Sequence, residues 1–150
     1  WLVAANSPWV SEFTVPWVAG SGPHGRRLAL EWIESKDPKT AVAGWQTYAS
    51  LASITPDADL DLDEIDALLK RVEKTIRDQP DRVRYYMNAF VTAIGCYVQP
   101  LHERALETAR AVGKVSVKMP GSCKVPNSAE QIEKFAARGP VGRKRKSAQC

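Results

Sequence analysis

The 150 residues contain no apolar run near the ~20 that a membrane-spanning helix needs, and no segment built like a signal peptide. Histidine is almost missing: His24 and His102 are the only two, and neither has Cys, Asp or Glu at ligand spacing. A metal site is therefore not expected. The three cysteines, Cys96, Cys123 and Cys150, are odd in number and lack CxxC spacing. They read as reduced thiols of a cytoplasmic protein. GxGxxG, P-loop and GxSxG motifs are all absent, and no cofactor is expected. The acidic stretch 57–66 lacks the spacing and the glycine of a calcium loop and reads as a solvated connector. The chemistry that remains belongs to carboxylates, aromatics and positive charge.

Positive charge is unevenly placed. Residues 114–150 hold nine Lys or Arg against two acids, whereas residues 1–113 hold twelve against fifteen. The run Arg143-Lys144-Arg145-Lys146 concentrates it further. Such a run can neutralise phosphates, serve as an address signal or be a solvated tail. We divide the chain into a helical part, 1–138, and a basic tail, 139–150.

Start and stop signals divide the first part into helices. Ser7-Pro8 opens a short helix that should end near Pro16, because proline removes a helical donor. Further helices are predicted over 25–35 and, after the Asp37-Pro38 cap, to about residue 53. Leu62, Ile65, Leu68, Leu69, Val72 and Ile76 follow helical spacing. Asp81 is expected to cap the next helix, which runs through Ile94. One more stretches from Pro100 to Gly113, and Asn127 caps a last one over 128–138. Residues 114–119 alternate like a strand but have no evident partner, and we read them as an extended loop. The pattern helix, proline turn, helix occurs at 29–52 and again at 72–95, offset by about 43 residues. That lies within the ~40–47-residue period of HEAT and armadillo arrays. The expectation is an all-α superhelix of antiparallel helix pairs, monomeric. Trp1 in place of Met suggests that this is the C-terminal part of a longer protein.

Two clusters could carry function. Trp9 and Glu12 are at i, i+3 spacing: either a core ring beside a surface acid, or an aromatic wall beside a carboxylate able to stabilise a sugar cation. Arg82, Arg84, Tyr85, Tyr86 and Asn88 open a helix where cations and polar donors suit phosphates. Trp45 sits on an apolar stripe and reads as core or as a DNA-facing ring.

The stretches ALEWIES…AVAGWQTYASLA, RVRYYMNAFVTAIGCY and GKVSVKMPGSCKVPNSAEQIEK resemble the C-terminal half of the AlkD-like DNA alkylation repair family. The resemblance implies a HEAT-like superhelix gripping duplex DNA on a basic concave face. It also implies hydrolysis of the N-glycosidic bond of N3- or N7-alkylated purines. Glu12 falls at the place of the family's aspartate. Pro8 holds the place of its aromatic, Val42 that of an arginine, and Asn88-Ala89 that of a late tryptophan. Glu12 and Trp9 are the implied catalytic pair. Trp45, Arg82, Arg84, Asn88, Lys124, Arg143, Lys144, Arg145 and Lys146 are the expected DNA contacts. The competing reading is a non-catalytic HEAT-like scaffold that binds DNA or a protein.

Overall fold

The computed structural model describes residues 2, 4, 5, 7–118 and 125–149. Its helices are α1 (Val15–Ser21), α2 (Gly25–Ile33), α3 (Pro38–Ile54), α4 (Leu62–Thr75), α5 (Asp81–Tyr97), α6 (His102–Val112) and α7 (Ser128–Arg138). Three begin on a side-chain cap, two of which, Asp37 and Asn127, the sequence marks as such. Asp37 accepts the Thr40 N–H at 3.0 Å, Asp61 the Glu64 N–H at 3.0 Å, and Asn127 the Glu130 N–H at 3.2 Å. Each bond satisfies a donor that the first turn would leave orphaned. Asp81 is different. It is the first residue of α5 and caps nothing; its carboxylate pairs with Arg84 and accepts the Lys118 N–H at 2.7 Å.

Pro16 does not end the first helix. A π-helical turn, Val10–Thr14, precedes α1, and Val15 donates to the Val10 carbonyl five residues back. The widened turn absorbs the bond that proline cannot make, so the helix continues and only its register shifts. Residues 114–118 lie in neither helix nor strand, and there is no strand among the described residues.

Helices α2, α4 and α6 form an outer layer, and α3, α5 and α7 an inner one, with α1 packed on α3. Pairs α2–α3 and α4–α5 are the two repeats seen in the sequence. The layers close on Trp45, Tyr48 and Phe90, each at most 1 % exposed, with Phe90 set edge-on to both rings at 5.2 and 5.8 Å. From α4, Ile65, Leu69 and Val72 are fully buried beneath them. Each such aliphatic side chain contributes ~1.5–3 kcal/mol. Glycine sets the closest approaches. A Cβ on Gly44 would lie 2.5 Å from the Ile33 nitrogen, and one on Gly95 would lie 2.5 Å from the Ile132 side chain. The fold is a HEAT-like helical superhelix.

The segment after α7 is not a free tail. The Gly142 N–H donates to the Cys96 carbonyl at 3.0 Å, and the Arg145 N–H to the Ser53 carbonyl at 2.8 Å. Lys144 pairs with Asp57 at 2.7 Å and donates to the Ala52 carbonyl at 3.0 Å, while Ala148 is buried. The segment is a strap across the C-terminal ends of α3 and α5, where cations meet the unsatisfied carbonyls and the negative end of the helix dipole.

Candidate nucleic-acid interface

Two openings lie on the inner layer. The first is a groove of about 360 Å³ between the C-terminal halves of α3 and α5, with α7 and the strap completing it. Small side chains keep its floor low: Ala49, Ser50, Ser53, Ala89 and Ala93. The Ser53 hydroxyl is turned onto the Ser50 carbonyl at 2.7 Å, so it adds no unmet polarity. Cys96 is buried in the floor, and that burial pushes its thiol up to about 11, which leaves it protonated and unreactive near neutral pH. The walls carry Lys134, Arg138 and Arg145, with no carboxylate among the lining residues. Lys134 reaches Glu130 only at 3.8 Å, with both side chains more than 60 % exposed. Such a contact cancels little charge in water.

The second opening is a cleft of about 520 Å³ at the N-terminal ends of α3 and α5, lined by Ser7, Pro8, Ser11, Glu12, Lys39 and Arg82 among others. Glu12 is only 6 % exposed, and both its oxygens are engaged. Arg82 Nε donates to one, and the Tyr86 hydroxyl donates to the other at 2.8 Å. The hydrogen bond to Glu12 raises the Arg82 pKa, and burial together with the Glu12 bond pushes the Tyr86 phenol up. Arg82 stays a cation and Tyr86 a neutral donor at any pH of interest. The carboxylate is thus held and compensated, and it ties the first helix to α5.

Several expected site residues stand elsewhere. Trp9 is 73 % exposed, lies outside the cleft lining, and stacks on Phe13 at 5.2 Å, which in turn meets Trp17 at 5.6 Å. The π-helical turn widens the angle between positions 9 and 12, and Trp9 ends in solvent while Glu12 is buried. Trp45 is buried at 1 % and has Arg71 over its ring at 6.0 Å, which leaves DNA no face to stack on. Asn88 is 4 % exposed. Its amide donates to the Pro126 carbonyl at 3.0 Å and its oxygen accepts from Ser128 at 2.6 Å, so it joins α5 to α7 and has nothing left for a phosphate. Arg84 is held by Asp81. In the basic run, Arg143 and Lys146 are exposed, Lys144 is spent on Asp57, and Arg145 faces the groove. Lys124 lies outside the described residues, as do Cys123 and Cys150. Lys134 and Arg138 were missed by sequence reasoning. The available signal was their i, i+4 spacing on an amphipathic helix, which marks a shared face but not which face looks into a groove.

Among the described residues no group of three or more His, Cys, Asp or Glu is placed to hold a metal ion, and no helix is long and apolar enough to cross a membrane. No family model matches the chain. Two curated relatives are described as uncharacterized proteins: Lin0241 of Listeria innocua serovar 6a, 36 % identical, and Lmo0209 of Listeria monocytogenes serovar 1/2a, 34 % identical. Both alignments run over 136 residues, 89 % of this chain and 58 % of the relative. A solved structure superposes on the whole chain with a TM-score of 0.91 and 32 % identity, covering 64 % of its own length. That protein is described as one of a new family related to the HEAT-like repeat DNA glycosylases, with affinity for branched DNA structures. The chain therefore spans less than two thirds of the relatives it matches, and its similarity to that glycosylase-related protein holds in sequence as well as fold.

Proposed function

We propose that this chain binds DNA, branched DNA in particular, through the inner-layer groove, and that it does so without excising bases. The observation that carries the reading is the groove itself. Lys134, Arg138 and Arg145 converge on a low floor with no carboxylate in the lining, the arrangement that phosphodiesters require. The affinity of the structural neighbour for branched DNA agrees with it.

The cleft supports the second half of the proposal. Cleavage of an alkylpurine N-glycosidic bond needs a carboxylate whose charge is available to the developing sugar cation. Glu12 spends its charge on Arg82 and its second oxygen on Tyr86, and Trp9 is not in the cleft to wall a sugar. The competing reading, hydrolysis of N3- or N7-alkylated purines, draws on one fact: Glu12 is a buried acid that opens on a cleft. Single-turnover release of N7-methylguanine decides between them. No release by the wild-type protein is expected, and release abolished in Glu12→Gln would reverse the assignment.

The binding half is tested by fluorescence anisotropy with a four-way junction and a linear duplex. Reversing Lys134, Arg138 and Arg145 to Glu should weaken junction binding about a hundredfold, ~2.7 kcal/mol. The slope of log K against log salt should fall by about three units. Unchanged affinity would remove the groove from the interface.

A further inference from the structure

Lys39 on α3 and Arg82 on α5 occupy equivalent positions of the two repeats. The two residues are 43 positions apart, the same offset that relates Gln46 to Ala89, Ser50 to Ala93 and Ser53 to Cys96. Within each helix, spacings of 7 and 11 residues return to nearly the same face. Lys39 therefore stands on the stripe of α3 that carries Gln46, Ser50 and Ser53, and Arg82 on the stripe of α5 that carries Ala89, Ala93 and Cys96. The groove and the cleft open on one face of the inner layer, at opposite ends of the same two helices. Fourteen residues separate Lys39 from Ser53, and Arg82 from Cys96. At 1.5 Å per residue the two ends of this face lie roughly 20 Å apart along the helices.

From this placement we infer that the Lys39–Arg82 cleft is a second phosphodiester-binding site, and that it takes a second arm of a branched DNA while the groove holds the first. The inference rests on the DNA-binding reading above. Glu12 does not cancel the cleft. It engages Arg82 through Nε alone, and a guanidinium carries five N–H donors, so the outer edge of the group still faces the opening. The Arg82 side chain is 44 % exposed, and the buried carboxylate holds it in one direction, which lowers the entropy lost when it meets a phosphate. Lys39 donates to the Ala5 carbonyl at 3.2 Å, which places its ammonium at the cleft; among the described residues it forms no ion pair, and Asp37 acts on it only at longer range. The cleft thus carries two cations against one anion, all three at its wall. Two cation sets at opposite ends of the same helices give each of two diverging arms its own phosphate contacts, which a single site cannot do.

The test compares affinity for a four-way junction and for a linear duplex of equal arm length, each against salt. Lys39→Gln is the first variant. The second is Lys39→Gln with Glu12→Gln and Arg82→Gln, which removes Arg82 without stranding a buried carboxylate. Both should weaken junction binding, by about threefold and about tenfold, and lower its salt slope by about one and two units. Duplex binding should stay within twofold. Equal losses on junction and duplex would mean one duplex lying along both sites, and would overturn the two-arm assignment. No change on either DNA would remove the cleft from binding. If the wild-type protein binds neither DNA, the reading beneath the inference fails and takes it down as well.

Discussion

The outer and inner layers are built from similar residues and use their charges in opposite ways. On the outer layer Arg26, Arg71 and Arg104 are consumed. Arg26 bridges Asp61 and Glu64 at 2.7 and 2.9 Å, Arg71 holds Glu34, and Arg104 binds Asp66 at 2.8 Å and Glu73 at 2.7 Å. The Tyr48 hydroxyl reaches out from the core to Glu64, and Thr108 donates to Glu73 at 2.7 Å. These bonds join successive outer helices into one sheet of ion pairs. On the inner face Arg138 and Arg145 meet no carboxylate among the described residues, and Lys134 barely meets one. A solenoid needs its helix pairs latched along one side, and a cation latched there is lost to a ligand. The comparison teaches that net charge is a poor guide to a binding face. What matters is which cations the fold leaves unmatched.

The largest effect is expected where the layers meet. Phe90→Ala should cost ~3–5 kcal/mol, because the ring is fully buried between Trp45 and Tyr48. Chemical denaturation would measure it, and a loss below ~1 kcal/mol would show that the layers are not joined there. Next comes a dissociation of the two layers. Arg104→Met should cost ~1–2 kcal/mol of stability by taking the charged partner from Glu73 and one of two from Asp66, with DNA affinity unchanged. The Lys134 and Arg138 reversals should do the reverse, leaving the melting temperature alone and weakening DNA. Parallel changes in both quantities for either variant would break the comparison.

A smaller effect is expected in acid. Hydrogen bonds from Lys70 and Arg104 hold the Asp66 carboxyl below its ordinary value. For Glu73 burial pushes upward, but bonds from Arg104 and Thr108 outweigh it and the net shift is down. Both groups favour the ionised form in the fold. Their stabilisation is present above the unfolded carboxylate range, near pH 4, and is lost as pH falls through the lowered values. Stability should be flat from pH 7 to about 5 and decline below about 4, and Arg104→Met should flatten that decline. An equally steep decline in the variant would assign acid sensitivity to other carboxylates. Smallest of all is the strap. Lys144→Gln removes the pair with Asp57, which should cost under ~1 kcal/mol. Because Arg145 is seated next to it, junction affinity should drop two- to threefold and trypsin should cut the strap faster. Unchanged cutting would show that the backbone bonds to Ser53 and Cys96 suffice.

Legibility in the sequence followed the range of the interaction. The caps at Asp37 and Asn127 were readable because each bond spans three residues. The 43-residue offset and the two-layer superhelix were readable because periodicity states which face each helix buries. Pro16 misled, since a π-helical turn is another local solution to a missing donor and has no composition of its own. The cations that line the groove were only partly readable. Arg145 was in the expected set and faces the groove, whereas Lys134 and Arg138 were not in it. Trp45 and Asn88 looked available and are enclosed.

The sequence by itself determined the helices, their repeat and the basic ending, because capping, proline placement and 3.6-residue periodicity act between near neighbours. Tertiary structure alone decided the state of each charge. Glu12 meets Arg82 across 70 residues, Asn88 meets Ser128 across 40, and Lys144 crosses the chain to Asp57. A cation's capacity to hold a phosphate depends on the carboxylates within a few ångströms of it, and those distances exist only once the helices have packed.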